Sequence, residues 1–157
     1  MQQNAAAEAA AIHTIGARYA QVNRDVAHGT SVVRRDLPGY SVEGGSLEGY
    51  FSGPTLRKMV ATFSGETGHA IEEFYFWDGR LFFVLRTQAF YDQPFGRVVR
   101  TEQNRFYFER GRLIQWLDAK NKPVALSGPA VRRRERDLLG DARTFATLLR
   151  RPAASPG

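Results

Sequence analysis

The sequence predicts an α+β fold: an N-terminal helix, a curved antiparallel β-meander of about six to eight strands, and a C-terminal helix. Three observations predict it. Apolar residues recur at helical spacing near both ends of the chain. Turn signals punctuate the middle at short intervals, and a phrase of hairpin character is written there twice.

The first element is a helix over about residues 5–27, on the recurrence of Ile12, Ile15, Tyr19, Val22 and Val26 along one face. Asn4 is its expected N-cap and Gly29 its expected stop. Residues 30–126 read as strands. Runs rich in β-branched and aromatic residues alternate with turns such as Leu37-Pro38-Gly39, Ser52-Gly53-Pro54, Asp78-Gly79, Arg110-Gly111 and Asp118-Ala119-Lys120-Asn121. Short connections of this kind join antiparallel neighbours, so a meander follows. Gly128-Pro129 then opens a helix over 129–151, whose stripe is Val131, Leu138, Ala142, Phe145 and Leu149. Together residues 1–151 make one domain, and 152–157 are expected to be a disordered tail.

The repeated phrase carries most of the local information. Phe74-Tyr75-Phe76-Trp77-Asp78-Gly79-Arg80-Leu81-Phe82-Phe83-Val84-Leu85 returns 32 positions later as residues 106–117, with seven of twelve residues identical. A two-residue Asp78-Gly79 loop pairs Phe76 with Leu81, Tyr75 with Phe82 and Phe74 with Phe83. The second copy pairs Phe108 with Leu113, Tyr107 with Ile114, Arg105 with Trp116 and Glu109 with Arg112; a three-residue loop with a Gly bulge competes there, because Arg110 is less suited to the turn than Asp78. This register sets Phe74, Phe76, Leu81 and Phe83 on one side of the first hairpin, and Tyr75, Trp77, Phe82 and Val84 on the other. Both sides need cover. The two helices are expected to cover one, and curling of the sheet or a partner the other. A fainter third copy is read at Ser41–Leu47.

Composition removes several chemistries. The 157 residues include no Cys, which excludes thiol catalysis, Cys-zinc sites and disulfides, while 43% hydrophobic residues with 11 Phe, 6 Tyr and 2 Trp suffice for a core. The net charge of +6 is concentrated: residues 130–157 hold seven Arg against Glu135, Asp137 and Asp141. No apolar run is long enough to span a bilayer. Met1-Gln2-Gln3-Asn4 before an Ala-rich helix resembles a mature N-terminus left by signal cleavage, so a periplasmic or secreted setting is expected, with a cytoplasmic one as the alternative.

Searching for chemistry yields no catalytic, cofactor or metal set. His69, Glu72 and Glu73 form the densest cluster, but on a strand Glu72 points away from the other two. The glycines from Gly44 to Gly53 lack the Gly-Lys-Ser/Thr run of a phosphate cradle, and no Gly-x-Ser-x-Gly elbow is present. Two candidate surfaces remain. Tyr75, Trp77, Phe82, Tyr91, Tyr107 and Trp116 are candidates for a ligand or partner surface, set against plain core packing. Arg132, Arg133, Arg134 and Arg136 are candidate anion contacts, set against the solvated face of a helix.

The phrase of aromatic pair, two residues, Gly, Arg and Leu resembles hairpin repeats of bacterial exported proteins, and is loosely similar to MORN-type repeats over about residues 68–124. The period of 32 departs from the MORN period of about 23, and the copies are few. The resemblance implies a scaffold or binding role in an envelope setting and carries no catalytic residue with it. The expected function is thus a non-enzymatic exported domain that binds a protein or a cell-envelope ligand, without a cofactor. A small-molecule pocket protein, or an enzyme of the helix-plus-curved-sheet type, is the first alternative. Nucleic-acid binding through the Arg-rich helix is the second, and the acidic flanks Glu72, Glu73 and Asp78 of the first hairpin disfavour base stacking on the sheet. Neither the partner nor the oligomeric state is legible.

Overall fold

In the computed structural model, residues 2–152 are described; Met1 and residues 153–157, which hold most of the expected disordered tail, lie outside them. Helix α1 spans Gln2–Gly29. A single seven-stranded sheet follows, with β1 Ser31–Asp36, β2 Gly45–Ser52, β3 Thr55–Ser64, β4 Gly68–Trp77, β5 Arg80–Tyr91, β6 Val98–Glu109 and β7 Arg112–Leu117. Its spatial order is its sequence order, every pair antiparallel, and helix α2 over Pro129–Arg150 closes the fold. The expected α+β meander is therefore present. Two details differ. Asn4 lies inside α1 rather than capping it, and the meander ends with β7 at Leu117, the expected turn at Asp118–Asn121 leading only to an isolated bridge between Leu117 and Pro123 where strand structure to residue 126 is expected. There the Asp118 carboxylate accepts the backbone N–H groups of Lys120 and Lys122, folding the chain back so that Val124 N–H donates to the Trp116 carbonyl. The return covers part of an otherwise open sheet edge.

Both expected hairpin tips are two-residue loops with left-handed backbone, at Asp78 (φ 49) and Gly79 (φ 79), and at Arg110 (φ 51) and Gly111 (φ 77). Arg110 takes the same conformation as Asp78, so the three-residue alternative is not used. Past each tip the register differs from the sequence expectation. Phe76 does face Leu81 and Phe108 does face Leu113, but a bulge follows: Tyr75 pairs with Phe83, Phe74 with Val84, Tyr107 with Gln115 and Phe106 with Trp116. Phe82 and Ile114 are the extra residues. Consequently Phe83 shares the face of Tyr75, and Val84 the face of Phe74, the reverse of the simple alternation. Glu109 and Arg112 stand opposite one another but form no ion pair among the described residues.

The third copy of the phrase lies elsewhere than expected. Ser41–Gly44 belongs to the loop before β2, whereas Tyr50-Phe51-Ser52-Gly53-Pro54-Thr55-Leu56 repeats the hairpin. It pairs Phe51 with Leu56 across a Gly53-Pro54 tip (Gly53 φ 58), and its register also slips, at Arg57. Tyr-Phe, four residues and Leu thus occur three times, each building one tip at the same end of the sheet. In each, the Tyr faces one side while Phe and Leu face the other.

The helices take opposite faces, which corrects the expectation that both would cover one. Against α2 pack Phe74, Phe76, Val84, Phe106, Phe108 and Leu113 of the sheet, together with Val131, Leu138, Ala142, Phe145 and Leu149 of the helix. Against α1 pack Tyr75, Phe82, Phe83 and Leu85, together with Ile15 and Val22. The second aromatic face is thereby covered by the chain's own N-terminus: the Tyr19 ring lies 4.8 Å from Tyr75 and 5.3 Å from Phe83.

Candidate functional site

The six aromatic residues singled out from the sequence divide among three places. Tyr75 and Phe82 are buried beneath α1, with Trp77 and Tyr107 half-buried beside them. The Tyr75 hydroxyl lies 3.1 Å from Glu73 Oε1 and 3.3 Å from Asn23 Oδ1, and Lys58 Nζ reaches the same two oxygens. Burial, then the Glu73 charge, raises the Tyr75 pKa, so the phenol stays protonated and acts as a hydrogen-bonding core residue. Trp77 is held between the Arg18 and Arg57 guanidinium groups, each 5.1 Å from its ring, and Asp25 anchors Arg57. Trp116 is on the α2 face, its indole N–H donating to Asn104 Oδ1 at 2.9 Å. Tyr91 is remote from both, with its hydroxyl 3.0 Å from His69 Nδ1. These rings form no common ligand surface. Of the arginine run, Arg132, Arg133, Arg134 and Arg136 are all exposed, and Arg134 lies 6.0 Å over the Trp116 ring.

Under α2 the sheet carries a polar row. Glu72, Arg86 and Asn104 are successive register partners across β4, β5 and β6, with Arg86 Nε 3.9 Å from Glu72 Oε1. Burial raises the Glu72 pKa against the opposing Arg86 charge, and Asp141 of α2 adds to the rise. Asp141 is itself raised by burial and by Asp137. The row forms the floor beneath α2, away from the walls of the clefts described below. Among the described residues no group of three His, Asp or Glu side chains is arranged to hold a metal ion, and no helix is long and apolar enough to cross a membrane.

The site that the structure assembles was not among the sequence candidates. At the tip end of the sheet, α2 and the β4–β5 and β6–β7 hairpins enclose a cleft of about 520 Å³. Phe76, Leu81, Leu139, Ala142 and Ala146 form its apolar part, and Arg80, Arg110 and Arg143 complete it, with no carboxylate among the described residues in the lining. Among the described residues none of these three arginines makes an ion pair. The positions follow from the elements: Leu139, Ala142, Arg143 and Ala146 recur at helical spacing on one side of α2, and the two tips present Arg80 and Arg110. On the α1 side of the same tips a second, more polar cleft of about 550 Å³ shares Arg80 and Arg110, and adds Arg18, Asp78 and Glu109.

The chain matches no family model, no curated protein and no solved structure. One signal in the sequence could have pointed there. Arg80 and Arg110 flank the turn glycines of the repeated phrase, and tip residues are the exposed part of a hairpin. In the sequence the same pattern also meets the demands of turn geometry alone, which masks it.

Proposed function

We propose that the chain is a non-enzymatic binding domain whose ligand occupies the cleft between α2 and the two hairpin tips. The observation that carries this reading is the pairing of an apolar floor with three arginines that lack acidic partners among the described residues. Pre-formed clefts of this size, mostly apolar with a few convergent polar groups, are the usual form of a small-ligand site. The lining supports binding over catalysis, since a guanidinium is never deprotonated in proteins and the other lining groups carry neither a nucleophile nor an acid–base pair. The resemblance to hairpin-repeat exported proteins supports an envelope setting for the ligand, which fractionation of the native protein tests.

The binding reading itself is tested by NMR shift mapping of the folded chain against a set of small amphiphiles, charged and neutral. Shifts concentrated on Gly79, Leu81, Gly111, Leu139 and Ala146 support it. Shifts confined to other faces, or none with any probe, retire it.

A further inference from the structure

We infer that the cleft takes an anion with an apolar body, its phosphate or carboxylate head held by Arg80, Arg110 and Arg143 and its body laid on Leu81, Leu139 and Ala146, above the buried Phe76 and Ala142. This rests on the binding reading above and gives it a ligand class. Charge favours an anion. Arg80, Arg110 and Arg143 all line one cleft, and no acidic side chain among the described residues lines it. The two carboxylates nearest in sequence, Asp78 and Glu109, line the cleft on the opposite side of the tips. Arg80 and Arg110 border both clefts, so an anion on the α2 side has no acid to displace there. Guanidinium is weakly hydrated and matches carboxylate and phosphate in a planar, two-pronged geometry, which suits it to an anion at the edge of an apolar surface.

The rest of the lining narrows the body of the ligand. Sugar hydroxyls both donate and accept, and among the described residues no side-chain acceptor lines the cleft. Phe76, the one aromatic residue among the described lining residues, is 7% exposed and belongs to the core, so the cleft presents no open ring for base stacking. What remains is aliphatic surface beside positive charge. The cleft volume of about 520 Å³ is in the range of small-ligand sites.

The experiment titrates the full chain with dodecyl phosphate, dodecanoate, dodecyl maltoside and inorganic phosphate, each below its micelle concentration, read by calorimetry and by NMR shifts. Dodecyl phosphate or dodecanoate is expected to bind in the cleft at least tenfold more tightly than dodecyl maltoside, and more tightly than inorganic phosphate; the tighter of the two anions identifies the head group. Arg80→Gln, Arg110→Gln and Arg143→Gln are each expected to weaken that binding about tenfold, since a charge-assisted hydrogen bond is lost. All three side chains are exposed, so the variants should keep the parent's unfolding midpoint, which is measured alongside.

Dodecyl maltoside binding the cleft as tightly as the anions would overturn the anionic preference while leaving the binding domain intact. Inorganic phosphate binding as tightly as dodecyl phosphate would remove the apolar body from the ligand. Anion binding unchanged in all three Arg variants would move the head group away from the proposed site. If only other amphiphiles of the mapping set shift the cleft resonances, the ligand class is wrong and the site is right.

Discussion

At the scale of single residues, the tips and one buried carboxyl carry specific physical demands. Gly79 and Gly111 hold φ of 79 and 77, a region that a β-branched side chain resists, and nothing crowds the position a Cβ would take. Backbone strain is therefore the whole cost. Gly79→Val and Gly111→Val should each destabilise by about 1–2 kcal/mol, seen as a lower urea midpoint; unchanged midpoints would contradict the two-residue loops. Glu72 poses a different demand. Its pKa is raised from 4.5, first by burial, and Asp141 is raised for the same leading reason. Both carboxyls hold their protons more firmly in the folded chain than in the unfolded one. Stability should therefore fall as pH rises from 4.5 through the raised folded value, and stay lower above it. Glu72→Gln should reduce that slope and raise stability above the window. Arg86, left without its partner, is 31% exposed and can be hydrated. Urea midpoints of parent and variant across pH 4–8 decide the matter, and parallel pH profiles would exclude Glu72 as the titrating group.

At the scale of elements, α2 both seals one core and walls the cleft. Phe145 is fully buried, its ring 5.9 Å from Phe74 and 5.4 Å from Tyr40. Phe145→Ala should cost about 3–5 kcal/mol, as truncations of buried aromatic residues do. The loss is measured by denaturant unfolding; a loss below 1 kcal/mol would mean that α2 is not docked as described. What was legible beforehand follows the same division. The stripe Val131, Leu138, Ala142, Phe145 and Leu149 is the buried face of α2, because a helix docked on a sheet repeats every three to four residues. Strand partners next to the Asp78-Gly79 and Arg110-Gly111 tips were also legible, since the loop type sets them. The bulges beyond the tips, and the register shift between Phe90 and Tyr91, were not. A two-residue loop specifies only its flanking pair, and a bulge depends on how the following residues pack under a helix. Missing them exchanged Phe83 and Val84 between faces. The cleft was hidden for a related reason: Arg143 is far in sequence from Arg80 and Arg110, and only the crossing of α2 over the tips unites them. Of the six candidate rings, Tyr75, Trp77, Phe82 and Tyr107 lie between α1 and the sheet.

At the scale of the whole molecule, the two cores share one sheet. Along β4 the side chains alternate between them, Phe74 and Phe76 packing under α2 while Tyr75 and Trp77 pack under α1. Losing either helix would bare an aromatic face of the same hydrogen-bonded strands, which couples the two cores through β4 and its neighbours. Neither core should melt alone, even though each helix docks separately. The chain contains two tryptophans, and they happen to report on opposite sides: Trp77 lies with the α1 cluster and Trp116 with the α2 cluster. Trp116→Phe leaves fluorescence from the α1 side alone, and Trp77→Phe from the α2 side alone. In each variant the fluorescence midpoint should coincide with that variant's own circular-dichroism midpoint, the signature of all-or-none unfolding. A fluorescence transition preceding the loss of circular dichroism in the Trp116→Phe variant alone would show instead that α1 undocks first and that the α1 face can open while the rest stays folded.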